Sequence, residues 1–266
     1  KQKNLSIITN TGDDFLYLGF YICPDIDTVI YTLAGVNNSE TGWGREDETW
    51  KTLDVLKELG ADTWFQLGDK DLALHLFRSK EKRKGELLTT ITRKISKKFG
   101  LSTKVLPMSN HMVQTILETP EGEISFQDYF VRQKHKPKVS NIAFKSKKPV
   151  ATDAVNRALL DKDLDGIIFC PSNPFLSIDP ILSINRIRKL IEQHRKPRVA
   201  ISPIVGHESV KGPTSKAMEE MGIEVSSLSI AKHYHGLIDG IIIDQSDEKQ
   251  TEEIRKMGIE VKLAEI

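Results

Sequence analysis

The sequence predicts an α/β fold: a Rossmann-like, mainly parallel sheet with helices on both faces, plus a smaller helical and hairpin insertion. Two observations lead to this prediction. The chain has 266 residues, of which 39% are hydrophobic and 28% charged, as is usual for a globular protein long enough to bury a large core. After residue 150, short apolar strands alternate with amphipathic helices, which is the pattern of a parallel sheet covered by helices.

The elements of the second half follow from this alternation. The predicted strands are 166–169, 199–201, 224–225, 240–243 and 260–263. The predicted helices lie near 153–160, 184–194, 212–221, 229–234 and 252–257. We expect these elements to form the parallel sheet and its covering helices.

The first half is more varied. We predict strands at 5–9 and 103–106, helices at 27–33, 50–59 and 88–99, a helix entering from 67–71, and a hairpin of 113–118 with 123–131. The basic, proline-flanked stretch 133–148 is expected to be a solvated linker. We therefore expect a single α/β domain over 1–266, with a helical and hairpin lobe around 45–150.

The bulk charge excludes some functions. A formal net charge of +1, from 38 basic and 37 acidic side chains, gives no general attraction to nucleic acid or to an anionic membrane. The two cysteines form no paired metal motif, and no apolar run approaches the ~20 residues that span a bilayer. These features predict a cytoplasmic protein in a reducing compartment.

Acidic residues follow the first predicted strand. Segments 10–14 and 24–29 carry four carboxylates, Asp13, Asp14, Asp25 and Asp27. Because ligands bind beyond the carboxyl ends of parallel strands, these carboxylates could bind Mg²⁺ or accept a proton from a hydroxyl. The alternative is a polar turn followed by a helix cap at Asp25 or Asp27. Residue pattern alone leaves both open.

Four further segments carry candidate ligand-binding residues. Asp69 and Asp71 flank Lys70 at a predicted helix start, where they could serve a metal, a phosphate or the helix dipole. Small, polar and proline residues follow two predicted strands at 169–174 and 202–206, and 211–216 opens a helix. Phosphate binding and ordinary capping remain alternatives for these segments. The sequence contains no Walker-type loop, dinucleotide glycine fingerprint or nucleophile elbow.

Taken together, the motifs resemble the 2-phospho-L-lactate transferase family of deazaflavin coenzyme biosynthesis. They occur in order along nearly the whole chain, which is more specific than any one of them. They are Asn10-Thr11-Gly12-Asp13-Asp14, Pro24-Asp25-Ile26-Asp27-Thr28-Val29, Leu67-Gly68-Asp69-Lys70-Asp71, Leu106-Pro107-Met108-Ser109, Phe126-Gln127-Asp128-Tyr129-Phe130, Pro171-Ser172-Asn173-Pro174, Ser202-Pro203-Ile204-Val205-Gly206 and Gly212-Pro213.

The resemblance implies a reaction and its site. A guanosine diphosphate-linked lactate, or a phosphoenolpyruvate-type relative, would be the donor, and the ribityl hydroxyl of the deazaflavin Fo would attack it, with Mg²⁺ present and GMP released. By position, Asp27 would be the catalytic residue, and Asp27 and Gln66 would contact Fo. Ser172 and Asn173 would bind the guanosine nucleotide. The expected metal ligands, with Asp71 as a further candidate, are Asp27, Asp13, Asp14 and Asp69. A homodimer is usual in the family.

The sequence departs from the family pattern in three places. Gln66 stands where the family usually has a basic residue, and Asn110-His111 stands where acidic residues are common. The first strand and glycine-rich loop of the family do not precede Lys1, so we expect either a fragment or impaired donor binding. The alternative functions are a non-catalytic nucleotide-sugar-binding regulator on a related fold and a degenerate partner subunit. The identity of the three-carbon acid stays open.

Overall fold

The structure is a computed structural model that describes residues 4–210 and 212–266. Its residues form two compact units, and each is described by itself. The first unit comprises the residues up to 115 together with 125–136 and 144–155, and the second comprises 116–124, 137–143 and 156–266. The expectation of one domain with a lobe around 45–150 stays a prediction.

The predicted α/β class is confirmed, with parallel strands and interspersed helices. The strands are β1 (Ser6–Thr9), β2 (Phe15–Tyr17), β3 (Phe20–Ile22), β4 (Lys104–Pro107), β5 (Gln114–Thr119), β6 (Gly122–Ser125), β7 (Asn141–Lys145), β8 (Ile167–Phe169), β9 (Arg198–Ile201), β10 (Ile204–Val205), β11 (Glu208–Ser209), β12 (Gly240–Asp244) and β13 (Glu260–Ala264).

Most of the α-helices agree with the predicted helical segments, whereas the short helix Asp179–Leu182 was not predicted. They are α1 (Pro24–Ala34), α2 (Lys51–Glu58), α3 (Asp69–Arg83), α4 (Leu88–Lys98), α5 (Asp153–Leu159), α6 (Asp179–Leu182), α7 (Asn185–Glu192), α8 (Thr214–Glu220), α9 (Ser227–His233) and α10 (Thr251–Lys256). Short helical turns of other types cover Asp128–Arg132, Pro174–Ile178 and Gln245–Gln250. Among the described residues, we find no helix with the length and apolar character needed to cross a membrane.

The first unit is built on a parallel strand pair. β1 and β4 pair in parallel from Ser6 opposite Lys104 to Thr9 opposite Pro107. A hairpin of β2 and β3 follows β1, and its turn residues Leu18 and Gly19 both have positive φ angles, of 50° and 77°. Positive φ at both positions matches the strand twist in a two-residue hairpin turn. The chain then enters α1 directly, which brings the start of that helix to the candidate site.

A compact apolar core supports this arrangement. Ile26 and Ile30 of α1 are fully buried and belong to one cluster with Ile91 and Ile95 of α4 and Val105 of β4. Their spacing of three or four residues in each helix places them on one face, as an amphipathic pattern requires. The polar residues of the first turn of α1 are thereby held at the edge of the strand pair.

The second unit contains the larger parallel sheet, with strand order β13-β12-β9-β8. β8 and β9 are each followed along the chain by a loop at the carboxyl end, whereas β12 leads directly into the helical turn Gln245–Gln250. The loops after β8 and β9 carry the segments that the sequence analysis singled out.

Three predicted elements were wrong in detail. The expected strand 123–131 ends as β6 at Ser125, because the Ser125 hydroxyl accepts from the Asp128 amide at 3.2 Å and starts the helical turn Asp128–Arg132. Residues 133–148 are not only a linker, since β7 lies within them and joins the three-stranded sheet β6-β5-β7. The expected strand 224–225 is absent from the described elements, and the Val225 carbonyl contacts the His207 ring nitrogen at 3.2 Å instead.

Arg198 of β9 contacts two other backbone segments of the second unit. Its guanidinium pairs with Asp239, and its Nη1 donates to the carbonyls of Ile191, Glu192 and Gly236 at 3.1 to 3.3 Å. The side chain of Arg198 is only 12% exposed, so replacing it leaves several polar groups without partners.

We therefore expect Arg198→Met to lower the free energy of unfolding by roughly 2–3 kcal/mol, as measured by urea denaturation. The matched control is Arg188→Met, because Arg188 forms an exposed ion pair with Glu192. That control should cost less than about 0.5 kcal/mol. Equal losses in the two variants would contradict the role given to Arg198.

Candidate active site

The turn after β1 is fixed by hydrogen bonds to its backbone and side chains. The Asn10 carbonyl oxygen Oδ1 accepts from the Gly12 amide at 2.6 Å, and Asn10 Nδ2 donates to Asp25 Oδ2 at 3.0 Å. The Gly12 carbonyl accepts from the Thr115 amide at 2.8 Å. Asn10 therefore links the turn to the first turn of α1, and brings two acidic segments together.

Two carboxylates of this turn are buried. Asp13 is 6% exposed and Asp14 is 2% exposed. Asp14 Oδ2 accepts from the Cys23 thiol at 3.2 Å. Oδ1 of Asp13 and Oδ1 of Asp14 are buried and have no hydrogen-bond partner within residues 4–210 and 212–266. A buried carboxylate oxygen without a donor is costly, so these atoms are available to a ligand that supplies positive charge or a proton.

Burial changes the protonation of the cluster. Burial raises the pKa of Asp14 to about 8 and the pKa of Asp25 to about 6. The pKa of Asp13 lies well above its ordinary value because of burial, with further contributions from the charges of Asp25 and Asp14. The charges of Asp25 and Asp27 likewise raise the pKa of Asp14, because like charges repel strongly where water is excluded.

The donor set fits Mg²⁺, although the protein alone does not complete a coordination shell. Mg²⁺ prefers oxygen ligands and usually keeps several waters while it binds substrate phosphates. The unpartnered oxygens of Asp13 and Asp14 are suitable ligands. In the part of the chain that the structure describes, no group of three or more His, Cys, Asp or Glu side chains is arranged to hold a metal. Water and phosphate oxygens would therefore have to supply the remaining positions.

Asp27 lies in the first turn of α1 and forms a two-point ion pair with Arg78. Arg78 Nη1 donates to Asp27 Oδ2 at 3.0 Å, and Nη2 donates to Oδ1. Arg78 is fully buried, and Asp27 is 5% exposed. Burial raises the pKa of Asp27, and the charge and hydrogen bonds of Arg78 oppose that rise. The guanidinium thus favours the ionised form of this carboxylate.

His75 completes the surroundings of this pair. Its Nδ1 lies 3.1 Å from Arg78 Nη1 and 3.7 Å from Asp27 Oδ2. Burial, followed by the charge of Arg78, lowers the pKa of His75 to about 3. The ring is therefore neutral near pH 7, and its Nδ1 accepts from the guanidinium.

The structure shows that Asp25 and Asp27 do not cap a helix. The N-cap of α1 is Cys23, with no side-chain hydrogen bond to the helix among the described residues. Asp25 accepts from Asn10, and Asp27 binds Arg78. Neither aspartate caps the helix with its side chain, so their clustering has another cause.

Capping does account for Asp69. Its Oδ1 accepts from the Thr52 amide at 3.0 Å and its Oδ2 from the Lys51 amide at 3.2 Å, both at the start of α2. Hydrogen bonds from Thr49 and then Thr52 lower the pKa of Asp69 to about 2. Both oxygens of Asp69 thus serve the N-terminus of α2, and a role as metal ligand stays a prediction.

The other residues near α3 have different environments. Asp71 Oδ1 accepts from the Tyr31 hydroxyl at 2.6 Å, and burial raises the pKa of Asp71 to about 6. Gln66 is exposed and directly follows the aromatic pair Trp64 and Phe65. Its predicted contact with an acceptor stays a prediction.

The predicted nucleotide residues follow β8 in the second unit. Asn173 Oδ1 accepts from the amides of Phe175 and Leu176 at 3.0 and 3.1 Å, so Asn173 caps the helical turn Pro174–Ile178. Its Nδ2 has no hydrogen-bond partner among the described residues. Ser172 is partly buried, and its amide donates to the Cys170 carbonyl at 2.7 Å. The Asn173 side chain therefore caps this helical turn through its oxygen, and its amide nitrogen Nδ2 remains available as a donor to a ligand.

The loop after β9 is held by a buried hydroxyl network. The hydroxyls of Ser202 and Ser227 lie 2.8 Å apart, and Ser227 donates to Asp247 Oδ2 at 2.7 Å. The segment 211–216 is described only from Gly212, since Lys211 lies outside the described residues. No side chain caps α8 at its N-cap, Pro213, among the described residues.

Sequence analysis missed Arg78, His75 and Cys23 as neighbours of the acidic cluster. The sequence did contain a signal for His75 and Arg78. Arg78 and Ser79 follow His75 by three and four residues, so these three side chains share one face of α3. All three are buried, which makes the inward face of this helix polar. A polar face turned to the interior is unusual, and it marks a site of interaction with other polar groups.

The raised pKa of Asp14 makes the stability of the metal-free protein depend on pH. Below about pH 4 the carboxyl group is protonated in both the folded and the unfolded state, whereas between about pH 4 and pH 8 only the folded state keeps the proton. The contribution of Asp14 to stability is therefore lost as the pH rises towards 8. With EDTA present, Asp14→Asn should raise Tm at pH 8 by on the order of 5 °C and leave it nearly unchanged at pH 4.

Thermal melts from pH 4 to pH 8 check this expectation, and Asp62→Asn, at an exposed carboxylate, is the control. Asp13 contributes in the same direction, so the variant should retain a shallower pH dependence. Parallel curves for the parent and the Asp14 variant would contradict the assignment.

Loss of the Asp69 cap should affect α2 locally, since none of its residues is buried. Asp69→Ala removes about 1 kcal/mol of capping and should speed amide hydrogen exchange in α2 about fivefold. Asp69→Asn keeps an acceptor oxygen and should change exchange less. Unchanged exchange in the alanine variant would show that Asp69 does not cap this helix.

Comparison with known proteins identifies the family. A family model described as 2-phospho-L-lactate transferase CofD matches residues 1–264. A protein of Methanococcoides burtonii named 2-phospho-L-lactate transferase is 36% identical over 98% of this chain and 84% of its own length. One of the same name from Methanopyrus kandleri is 38% identical over 98% of this chain and 83% of its own. A phosphoenolpyruvate transferase of Streptomyces griseus is 36% identical over 97% and 83%.

A solved structure supports the fold. The crystal structure of a UPF0052 family protein from Bacillus halodurans superposes with a TM-score of 0.62 and 16% identity, over 98% of this chain and 84% of that one. This likeness concerns the fold alone. The match of the family model across residues 1–264, with relatives at 36–38% identity over nearly the whole chain, shows that the chain belongs to the 2-phospho-L-lactate transferase CofD family and is a transferase of that type.

Proposed function

We propose that this transferase moves a phospholactyl or phosphoenolpyruvyl group from a guanosine diphosphate-linked donor to the ribityl hydroxyl of the deazaflavin Fo, with release of GMP. The observation that carries the proposal is the cluster of Asp13, Asp14, Asp25 and Asp27 at the end of β1, in a chain of this family. The unpartnered oxygens of Asp13 and Asp14 suit a phosphate-bound cation, and the carboxylate of Asp27 can accept the proton of an acceptor hydroxyl.

The reaction assigns a role to Asp27. The acceptor hydroxyl oxygen forms a bond to the phosphorus that carries the three-carbon acid, while the bond from that phosphorus to the oxygen of GMP breaks and GMP keeps the electron pair. The hydroxyl proton passes to Asp27, whose ionised form is favoured by Arg78. Orientation of the hydroxyl contributes most to such a step, because phosphoryl transfer depends mainly on positioning and charge neutralisation.

Mg²⁺ is part of the proposal, and would neutralise negative charge on the phosphates. Asp13 and Asp14 would hold it, since each has a buried oxygen without a partner among the described residues. Asp27 and Asp69 remain further candidates, although the oxygens of Asp27 bind Arg78 and those of Asp69 cap α2.

The remaining predicted contacts are with the two organic ligands. The leftover donor of Asn173 supports its assignment to the guanosine nucleotide, together with Ser172. Gln66 can hydrogen-bond to Fo but cannot neutralise a phosphate, because its amide carries no charge. A homodimer in the cytoplasm completes the proposal, and light scattering of the purified protein would test the dimer.

Sequence similarity to the relatives does not show which three-carbon acid is transferred. The relatives from Methanococcoides burtonii and Streptomyces griseus are both 36% identical to this chain, and they carry the two different names. The regulator alternative has no observation in its favour, because the solved structure supports only the fold.

The test is a direct assay of the full-length protein with Fo, Mg²⁺ and either lactyl-diphosphoguanosine or its enolpyruvyl counterpart. We expect GMP release and a deazaflavin product whose mass has increased by the transferred group. Binding of Fo with no turnover on either donor would contradict the proposal and favour a degenerate partner subunit.

Asp27→Asn should lower kcat about 100-fold or more, because the amide cannot accept the hydroxyl proton. The rate of GMP release at saturating Fo measures this change. Asp62→Asn is again the matched control, since Asp62 is an exposed carboxylate of the same unit that pairs with Arg132. A near-normal rate for the Asp27 variant would remove its catalytic role.

A further inference from the structure

We propose that Arg78 is a positioning residue for Asp27, the carboxylate that meets the acceptor hydroxyl. Arg78 binds both oxygens of Asp27 from the protein interior and so fixes the direction in which the carboxylate faces the hydroxyl. This inference rests on the proposed function of Asp27. It adds a residue that no motif of the sequence pointed to.

The geometry of the pair supports orientation as its main effect. The two terminal nitrogens of Arg78 bind the two oxygens of Asp27, so the planar guanidinium and the carboxylate face each other. Such a fork removes the rotational freedom that a single hydrogen bond would leave. Each carboxylate oxygen has two acceptor sites, so Asp27 keeps a lone pair for the acceptor.

Arg78 is itself held in place. Nη1 also donates to the Tyr21 carbonyl at 3.4 Å and to the His75 ring at 3.1 Å. These contacts come from β3 and from the preceding turn of α3. The orientation of Asp27 is thus tied to the backbone of β3 and to a side chain of α3.

The full burial of Arg78 indicates a positioning role and excludes direct contact with a substrate. Arg78 is 0% exposed, so its side chain is not accessible to a substrate, whereas Asp27 retains 5% exposure. Stability alone is a weak reason for such a pair, since apolar side chains of similar volume often serve a core as well as a buried ion pair does. Its location beside Asp14 as well as Asp27, in the acidic cluster, makes a functional reason the better one.

The first test is Arg78→Lys, which keeps the charge and loses the two-point geometry. We expect kcat to fall about tenfold while KM for Fo changes less than about threefold, because misorientation mainly affects the transition state. Arg83→Lys is the matched control, because Arg83 is an exposed arginine in the last turn of the same helix α3. This control should leave kcat within about twofold, since the same exchange is made outside the buried cluster.

The second test is a double-variant cycle. If Arg78 acts through Asp27, then Arg78→Lys should lower kcat in the parent but change it by less than about twofold in the Asp27→Asn background. A purely structural effect would multiply in both backgrounds, and that result would overturn the inference. So would an Arg78→Lys variant with normal kcat.

A milder variant covers the case in which Arg78→Lys does not fold. His75→Leu removes the ring nitrogen that accepts from Arg78 and leaves the ion pair, and should lower kcat about threefold. Unchanged kcat in this folded variant would overturn the inference. Failure of the proposed function is distinguishable, because the parent protein would then release no GMP. If only the role of Asp27 fails, Asp27→Asn is active, and if only the inference on Arg78 fails, Asp27→Asn remains impaired.

Discussion

The burial of several carboxylates at the end of one strand is the constraint on which the rest of the site depends. Water stabilises a carboxylate charge, and a protein that removes the water must supply protons, donors or cations in its place. Asp27 receives a guanidinium, and Asp25 receives an amide donor from Asn10. Burial raises the pKa of all four carboxylates, but only Asp13 and Asp14 each keep one oxygen without a partner among the described residues. The cluster is thus divided into a compensated part and a part that is open to a ligand.

The fold creates this division through short connections. β1 ends at Thr9, the hairpin β2–β3 returns the chain, and α1 begins two residues after Ile22. Both acidic segments therefore lie at one end of the strand pair, while the apolar face of α1 packs against α4. α3 contributes an inward face that is unusually polar, with His75 and Arg78. Arg78 supplies the positive charge that compensates Asp27 of α1. Packing and electrostatics are consequently determined by the same helices.

Much of this arrangement could be predicted from local patterns. The helices α2 and α4 followed from apolar periodicity, and the parallel strands followed from the alternation of strands with helices. The acidic segments were singled out because the first of them follows a strand. The hairpin of β2 and β3 was missed because strands of three residues leave almost no alternation to detect. The partner of Asp27 was missed because it lies 51 residues away, and only the folded chain brings Arg78 to it. The sequence also left open whether the aspartates cap helices or bind ligands, because the answer depends on residues far away in the chain. In the structure Asp69 caps α2, whereas Asp25 and Asp27 cap no helix.

The central claim is that the open oxygens of the acidic cluster bind the cation of the reaction beside the acceptor. The most direct measurement is a crystal structure of the protein soaked with Mn²⁺ and Fo, with anomalous scattering used to locate the metal. We predict an anomalous peak at about 2.0–2.3 Å from Asp13 or Asp14, with the ribityl chain of Fo reaching Asp27. A peak elsewhere, with the ribityl chain remote from Asp27, would contradict this account.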